Sequence, residues 1–239
     1  REVFGPVLHV LRYRRDDLDG LIEQINATGY GLTFGVHTRI DETIARVTEQ
    51  VHAGNLYVNR NIVGAVVGVQ PFGGEGLSGT GPKAGGPLYM YRLLATRPAG
   101  LPPALDPAAP MPQALALPGP TGETNTYRVE PRGAVYCVAA TEAGARAQWA
   151  VVSQTGNHAW FADTPAARAW IDGLDARLRE QAALLEDSEF DEADFQAVLF
   201  EGDGDALRAL NMRIAQRPGP LVSVHGLSAD ALAAGASYA

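Results

Sequence analysis

Residues 54–88 carry glycine at positions 54, 64, 68, 73, 74, 76, 79, 81, 85 and 86, interleaved with Val, Phe, Leu and Pro and with little charge. In a helix or strand interior each of these glycines would cost about 0.5–1 kcal/mol relative to alanine, so the spacing predicts one long loop. Flexible linkers seldom mix in large apolar side chains this way, and those side chains argue that the loop is packed. A glycine backbone can approach a ligand closely and aim its N–H groups at negative charge. The loop is therefore the first candidate for a binding site.

The residues before it read as alternating strand and helix. Residues 6–13 form a short apolar run with β-branched members, predicted to be a strand. Asp16 and Asp17 then offer N-capping carboxylates, Leu18, Leu21, Ile22 and Ile25 share one helical face, and Gly29 closes the helix. Residues 32–37 read as a second strand, and residues 38–41 as a capping box before a helix with Ile44, Val47 and Val51 on one face. Residues 55–59 read as a third strand that delivers the chain into the glycine loop, where open α/β sheets bind ligands.

After the loop the composition changes. Residues 98–120 hold eight prolines, which rules out continuous helix or central strand and predicts an extended, polyproline-like connection. Beyond it, strands are predicted at 126–130, 134–139, 158–161, 195–200 and 221–224. Helices are predicted at 141–155, after Thr164-Pro165, on the face of Leu207, Leu210 and Ile214, and over 227–236. This alternation implies a parallel α/β sheet. Gly202-Asp203-Gly204 sits where a dinucleotide loop would, but position 207 is Leu and the third glycine is missing, so this domain is expected to hold no cofactor of its own. His158 and His225, beside strand-like runs, read as packed or edge histidines.

At 239 residues, two domains are the expectation, and 46% hydrophobic residues make the chain globular. A net charge of −8 argues against a nucleic-acid or anionic-membrane surface. A single cysteine, Cys137, makes no internal disulfide, and without Cys/His clusters no metal site is predicted. The compartment reads as cytoplasmic, with no apolar run of membrane-spanning length. Cys137 lies in an apolar run with no basic neighbour to lower its pKa, so it is expected to be inert.

Two motifs carry a resemblance. Gln70-Pro71-Phe72-Gly73-Gly74 followed by Ser78-Gly79 resembles the closing signature of the aldehyde dehydrogenase superfamily, and Glu2-Val3-Phe4-Gly5-Pro6 resembles that family's cofactor motif. Residues 61–65, 69–72 and 78–87 are similar to its glutamate-semialdehyde (pyrroline-5-carboxylate) dehydrogenase branch, and more narrowly to the long bifunctional proline-catabolic flavoenzymes of that branch. The motifs cover residues 1–97, and residues 123–239 resemble the extra C-terminal domain of the long forms.

The resemblance implies an α/β chain: the C-terminal portion of an aldehyde dehydrogenase catalytic domain at 1–97, a Pro-rich linker at 98–122, and a Rossmann-like, non-catalytic domain at 123–239. It implies that Glu2 holds the nicotinamide ribose of NAD through two hydroxyls, that Phe4 packs beside the nicotinamide, that the Gly64 and Ala65 amides anchor the substrate carboxylate, and that Phe72 walls its aliphatic part. Bulk at 64 or 65 is expected to crowd the substrate. The nucleophile, base and most of the NAD-binding domain lie N-terminal to these motifs in the family, so no catalytic residue is expected here.

The chain reads accordingly as a piece of a longer polypeptide. Its implied substrate is glutamate semialdehyde, and FAD is expected only in an upstream proline dehydrogenase domain. A homo-oligomer is implied, with DNA binding only if the parent has an N-terminal DNA-binding domain. Two other readings stay open: a monofunctional dehydrogenase for another aldehyde, and a non-catalytic structural or binding module with vestigial motifs.

Overall fold

An apolar run becomes a strand only where a second backbone takes up its hydrogen bonds. In this chain, described by a computed structural model over residues 3, 5–79, 81–94 and 109–238, that condition separates the predicted strands that form from the one that does not. The chain divides into two units, Arg1–Gly64 with Gly73–Gly81, and Ala65–Phe72 with Pro82–Ala239.

The first unit runs α1 (Leu18–Asn26), β1 (Tyr30–Gly31), β2 (Thr33–Val36), α2 (Asp41–Gln50), β3 (Asn55–Val58) and β4 (Glu75–Gly76). β2 and β3 are parallel, with Thr33 opposite Asn55 and Val36 opposite Val58, and β1 pairs antiparallel with β4. Ile22, Val47, Val51 and Ala53 form its core, with Leu18, Phe34, Val36 and Leu56 packed against them, so the predicted apolar faces of both helices are the buried ones. Asn26 joins the C-terminal ends of the two helices: its amide donates to the Gln50 carbonyl (2.8 Å) and accepts from the His52 N–H (2.9 Å). At Gly31 a Cβ would lie 2.2 Å from the His52 carbonyl oxygen, so only glycine lets β1 run this close to that segment.

Three expectations for this unit are corrected. Residues 7–13 form no strand and are exposed, Leu8 at 86% and Val10 at 80%, because no described backbone pairs with them. Asp17 stands at the start of α1 but makes no capping bond, since Asp16 and Asp17 are taken into a short 3₁₀ turn, Arg15–Asp17. The predicted capping box at α2 is also absent. The Thr38 hydroxyl instead accepts from the Ile40 N–H (3.2 Å), while Asn59 grips the Thr38 backbone, accepting from its N–H and donating to its carbonyl, both at 3.0 Å. Asn59 does this with φ +56°, while its own N–H donates to the Val36 carbonyl at 2.9 Å.

In the second unit come β5 (Gln113–Leu117), β6 (Asn125–Val129), β7 (Ala134–Val138), α3 (Glu142–Gln154), β8 (His158–Ala162), α4 (Pro165–Asp172), α5 (Ala176–Arg179), β9 (Ala182–Leu185), β10 (Ala197–Glu201), α6 (Gly204–Ile214), β11 (Ser223–Leu227) and α7 (Ala229–Ala233). Five of the strands make one parallel sheet in the order β11-β10-β7-β8-β9, as the alternation of elements predicts. β5 and β6 form a separate hairpin, Gln113 opposite Val129 and Leu117 opposite Asn125. Residues 113–117 were expected to continue the polyproline-like connection. They form a strand because no proline falls between Pro112 and Pro118, which leaves five consecutive residues able to pair. β9, Ala-Ala-Leu-Leu, was not foreseen, because its composition favours helix and only its place beside β8 makes it a strand.

The sheet is buried on both faces. On one lie Val135, Cys137, Ala159, Phe161 and Leu199 under Trp149 and Val152 of α3 and Ala167 of α4. On the other, Tyr136 and Val198 pack with Phe190, Phe195 and Ile214. Arg217 straps the crossover between β9 and β10, donating to the Phe190 and Ala193 carbonyls with its guanidinium 4.2 Å from the Phe195 ring centroid. Helix starts are capped by side chains: Thr141, Thr164, Asp203 and Ser228 accept from backbone N–H groups of α3, α4, α6 and α7, and of these the sequence predicts the Thr164 cap. Phe161 is fully buried at the middle of β8, so Phe161→Ala should destabilise this unit by about 3–5 kcal/mol. Urea unfolding followed by tryptophan fluorescence checks it, and an unchanged midpoint would remove Phe161 from the core.

Candidate functional site

The glycine loop leaves β3 through Asn59 and reaches Gly64, where φ is +71°. A Cβ there would meet no atom within 4 Å, so within the chain itself the left-handed backbone, not crowding, is what reserves the position for glycine. Gly64 ends the first stretch of the first unit, while Ala65 and Phe72 delimit a loop segment that belongs to the second. Glu2 and Phe4 lie outside the described residues.

The segment between Ala65 and Phe72 is a closed turn. The Val69 and Gln70 N–H groups donate to the Val66 carbonyl (3.1 and 2.9 Å), and the Gln70 side-chain oxygen accepts from the Val66 N–H (3.0 Å). The other end of the Gln70 amide donates to the Glu123 carboxylate and to Asn125 Oδ1, the latter at 3.4 Å at the start of β6. One side chain thus closes the turn and ties it to the hairpin. Phe72, half-buried, exchanges two backbone hydrogen bonds with Ala84 (3.0 and 2.9 Å), which fixes the far end. Val67 at the tip is 96% exposed.

Sequence reading missed Gln70, Glu123 and Asn125 as a group. No local period links positions more than fifty apart, and in the sequence Gln70 stands only as one letter of the signature.

Residues 73–81 pack within the first unit. The Gly73 N–H donates to Asn55 Oδ1 (3.1 Å), Leu77 N–H to the Gly29 carbonyl (2.9 Å), and Gly31 N–H to the Ser78 hydroxyl (3.1 Å). A Cβ at Gly79 would sit 1.9 Å from the Gly74 carbonyl oxygen, so this part of the signature closes on itself only as glycine.

Elsewhere the candidates weaken. The Gly202-Asp203-Gly204 turn is filled by protein: Asp203 caps α6, and a Cβ at Gly202 would strike the Phe200 ring at 2.4 Å. A cavity of about 260 Å³ lies beside β7 and β10, but its Thr155 and Asn157 side chains are bonded to each other, to the Val151 carbonyl and to the Gly133 N–H. Among the described residues no cluster of His, Cys, Asp and Glu could hold a metal ion, and no helix is long and apolar enough to cross a membrane.

Comparison with known proteins bears out the resemblance carried by the motifs. Residues 1–97 match the aldehyde dehydrogenase family. The chain is 49% identical, over 95% of its length, to the bifunctional protein PutA of Escherichia coli K12, of which it covers 20%. It is 49% identical to the 1-pyrroline-5-carboxylate dehydrogenase of Bacillus subtilis strain 168 over 37% of this chain and 17% of that protein. A crystal structure of Bradyrhizobium japonicum proline utilization A is 64% identical over 38% of this chain and 10% of its own, with a TM-score of 0.38. The chain spans about a fifth of the length of the curated relatives it matches.

Cys137, the sole cysteine of the sequence, lies in the middle of β7 with no solvent exposure, and burial pushes its thiol pKa well up. It should resist a thiol-specific disulfide reagent in the folded chain and react at once in denaturant. Rapid labelling under native conditions would contradict its placement in β7.

Proposed function

We propose that this chain is the C-terminal part of a bifunctional proline-catabolic enzyme that oxidises L-glutamate γ-semialdehyde to glutamate with NAD, its proline dehydrogenase activity residing in an upstream, FAD-dependent domain. The observation that supports this most is the 49% identity to a bifunctional protein PutA across 95% of the chain. The dehydrogenase-only relative is matched over 37% of the chain. A monofunctional dehydrogenase would leave residues 123–239 without a counterpart, so the bifunctional reading is preferred.

NAD would accept the hydride removed from the aldehyde carbon. Of this chain's residues, Glu2 suits the nicotinamide ribose, because one carboxylate can accept from two vicinal hydroxyls, and Phe4 suits the apolar edge of the nicotinamide. Gly64 and Ala65 hold the substrate's remote carboxylate through backbone N–H groups, which need no basic side chain. Phe72 excludes water from the aliphatic part. Gln70 keeps the segment after Ala65 in one conformation, so that its amides are oriented before substrate arrives. Cys137 takes no part, being buried in β7. The reacting thiolate comes from the rest of the polypeptide, which is this chain's first partner.

In the full-length enzyme, Ala65→Val should crowd the carboxylate anchor while sparing aldehydes that have no carboxylate. The expected result is a loss of about tenfold or more in kcat/KM for glutamate semialdehyde with little change for propanal. Equal losses on both substrates would remove the anchor role.

The 239-residue chain alone should produce no NADH from glutamate semialdehyde above the buffer rate. Cys137→Ser should change nothing. Turnover that this substitution abolishes would move the chemistry into the second unit and overturn the reading.

A further inference from the structure

The five-stranded sheet has one place where its strand order reverses. From β7 the chain steps outward through β8 to β9, then returns to the other side of β7 for β10 and β11. In open α/β sheets the crevice outside the carboxyl ends of the strands at such a reversal is where ligands bind, with phosphate held by the N–H groups at the start of the first helix. Here those groups belong to the turn between β7 and α3, and they are already bonded.

Glu201, the last residue of β10, reaches across the crevice with only 3% of its surface exposed. Its Oε2 accepts from the Ala140 and Thr141 N–H groups, both at 2.8 Å, and its Oε1 accepts from the Thr141 hydroxyl at 2.8 Å. The same hydroxyl accepts from the Gly144 N–H at 3.0 Å, linking the carboxylate to the first turn of α3. A Cβ on Gly144 would lie 1.9 Å from Oε2, so the glycine that would make room for a phosphate makes room for this side chain instead. On the same edge, the buried Tyr238 hydroxyl donates to the Phe200 carbonyl (3.0 Å) and accepts from Gln148 Nε2 (3.1 Å), drawing the C-terminal segment onto the strand ends.

We propose that Glu201 is a built-in occupant of the anion position in this crevice, an autoinhibitory contact that closes the second unit to phosphate-bearing ligands. A phosphate brought to the same donors would meet a carboxylate at contact distance, and like charges cannot share one set of N–H groups without losing the charge-assisted bonds of one of them. The arrangement also fastens β10 to α3, so the contact that excludes a ligand is part of the fold. It stands apart from the dehydrogenase reading, since it concerns the second unit alone.

The test is made on the whole 239-residue chain. Glu201→Ala leaves two N–H groups and a hydroxyl facing an empty position, and should lower the thermal midpoint by about 5 °C or more. Formate or acetate should restore it in a saturable manner relative to equal chloride, with no such effect on the wild type. A midpoint equal to wild type, or one indifferent to formate, overturns the proposal.

Glu201→Gln covers the case in which the alanine variant does not fold. It keeps the side-chain shape without the charge and should shift the amide resonances of Ala140 and Thr141. Those resonances should stay fixed when ADP-ribose is added to the wild type. A saturable movement of them in the wild-type chain, or their indifference to Glu201→Gln, overturns the proposal as well. NADH formation is no part of the readout, so failure here is distinct from failure of the functional reading.

Discussion

The parallel pairing of β7 with β10 is the contact on which the second unit depends. Val135 faces Ala197 and Cys137 faces Leu199 on one side of the sheet, while Tyr136 and Val198 face each other on the opposite side. Each of the unit's two apolar clusters therefore draws on both strands, and neither could form with the ladder broken. A central parallel strand has no solvent face, which is why Ala-Val-Tyr-Cys-Val and Ala-Val-Leu-Phe-Glu read as near-continuous apolar runs without alternation.

The first unit rests on weaker supports. Its ladders are only two strands wide, a size that is marginal without further covering. Four buried side chains, Ile22, Val47, Val51 and Ala53, form its core. Meanwhile Leu8, Val10 and Leu11 near the start, and Val63 in the glycine loop, are more than half exposed. Under the proposed function the remainder of the dehydrogenase domain covers these side chains.

What the sequence conveyed, and what it did not, follows from how far each determinant reaches along the chain. Thr164-Pro165 at the start of α4 and the apolar stripe of Leu18, Ile22 and Ile25 are local signals, and the elements they mark are present. The alternation that implies a parallel sheet is regional, and the sheet is parallel. Non-local determinants were not legible. Residues 7–13 have strand composition but no described partner, Ala182–Leu185 has helical composition but lies beside β8, and Gln70 finds its partners at Glu123 and Asn125. The glycine loop was legible as a loop. That successive segments of it pack within different units was not, because contact and covalent neighbourhood part company there.

Asn59 has a consequence of its own for how this protein tolerates change. Its backbone takes a left-handed turn after β3, while its carboxamide makes the paired donor and acceptor contacts with Thr38 that a peptide group would have made. The side chain acts as a counterfeit rung that prolongs the β2–β3 ladder by one step after the main chain has turned away. Glycine could adopt the angle but would offer no rung, aspartate would offer an acceptor without a donor, and glutamine would place its amide one methylene too far out. Two unrelated demands, one on the torsion angle and one on the length and polarity of the side chain, converge on a single amino acid. Drift at this position is confined far more tightly than its place on the surface would suggest.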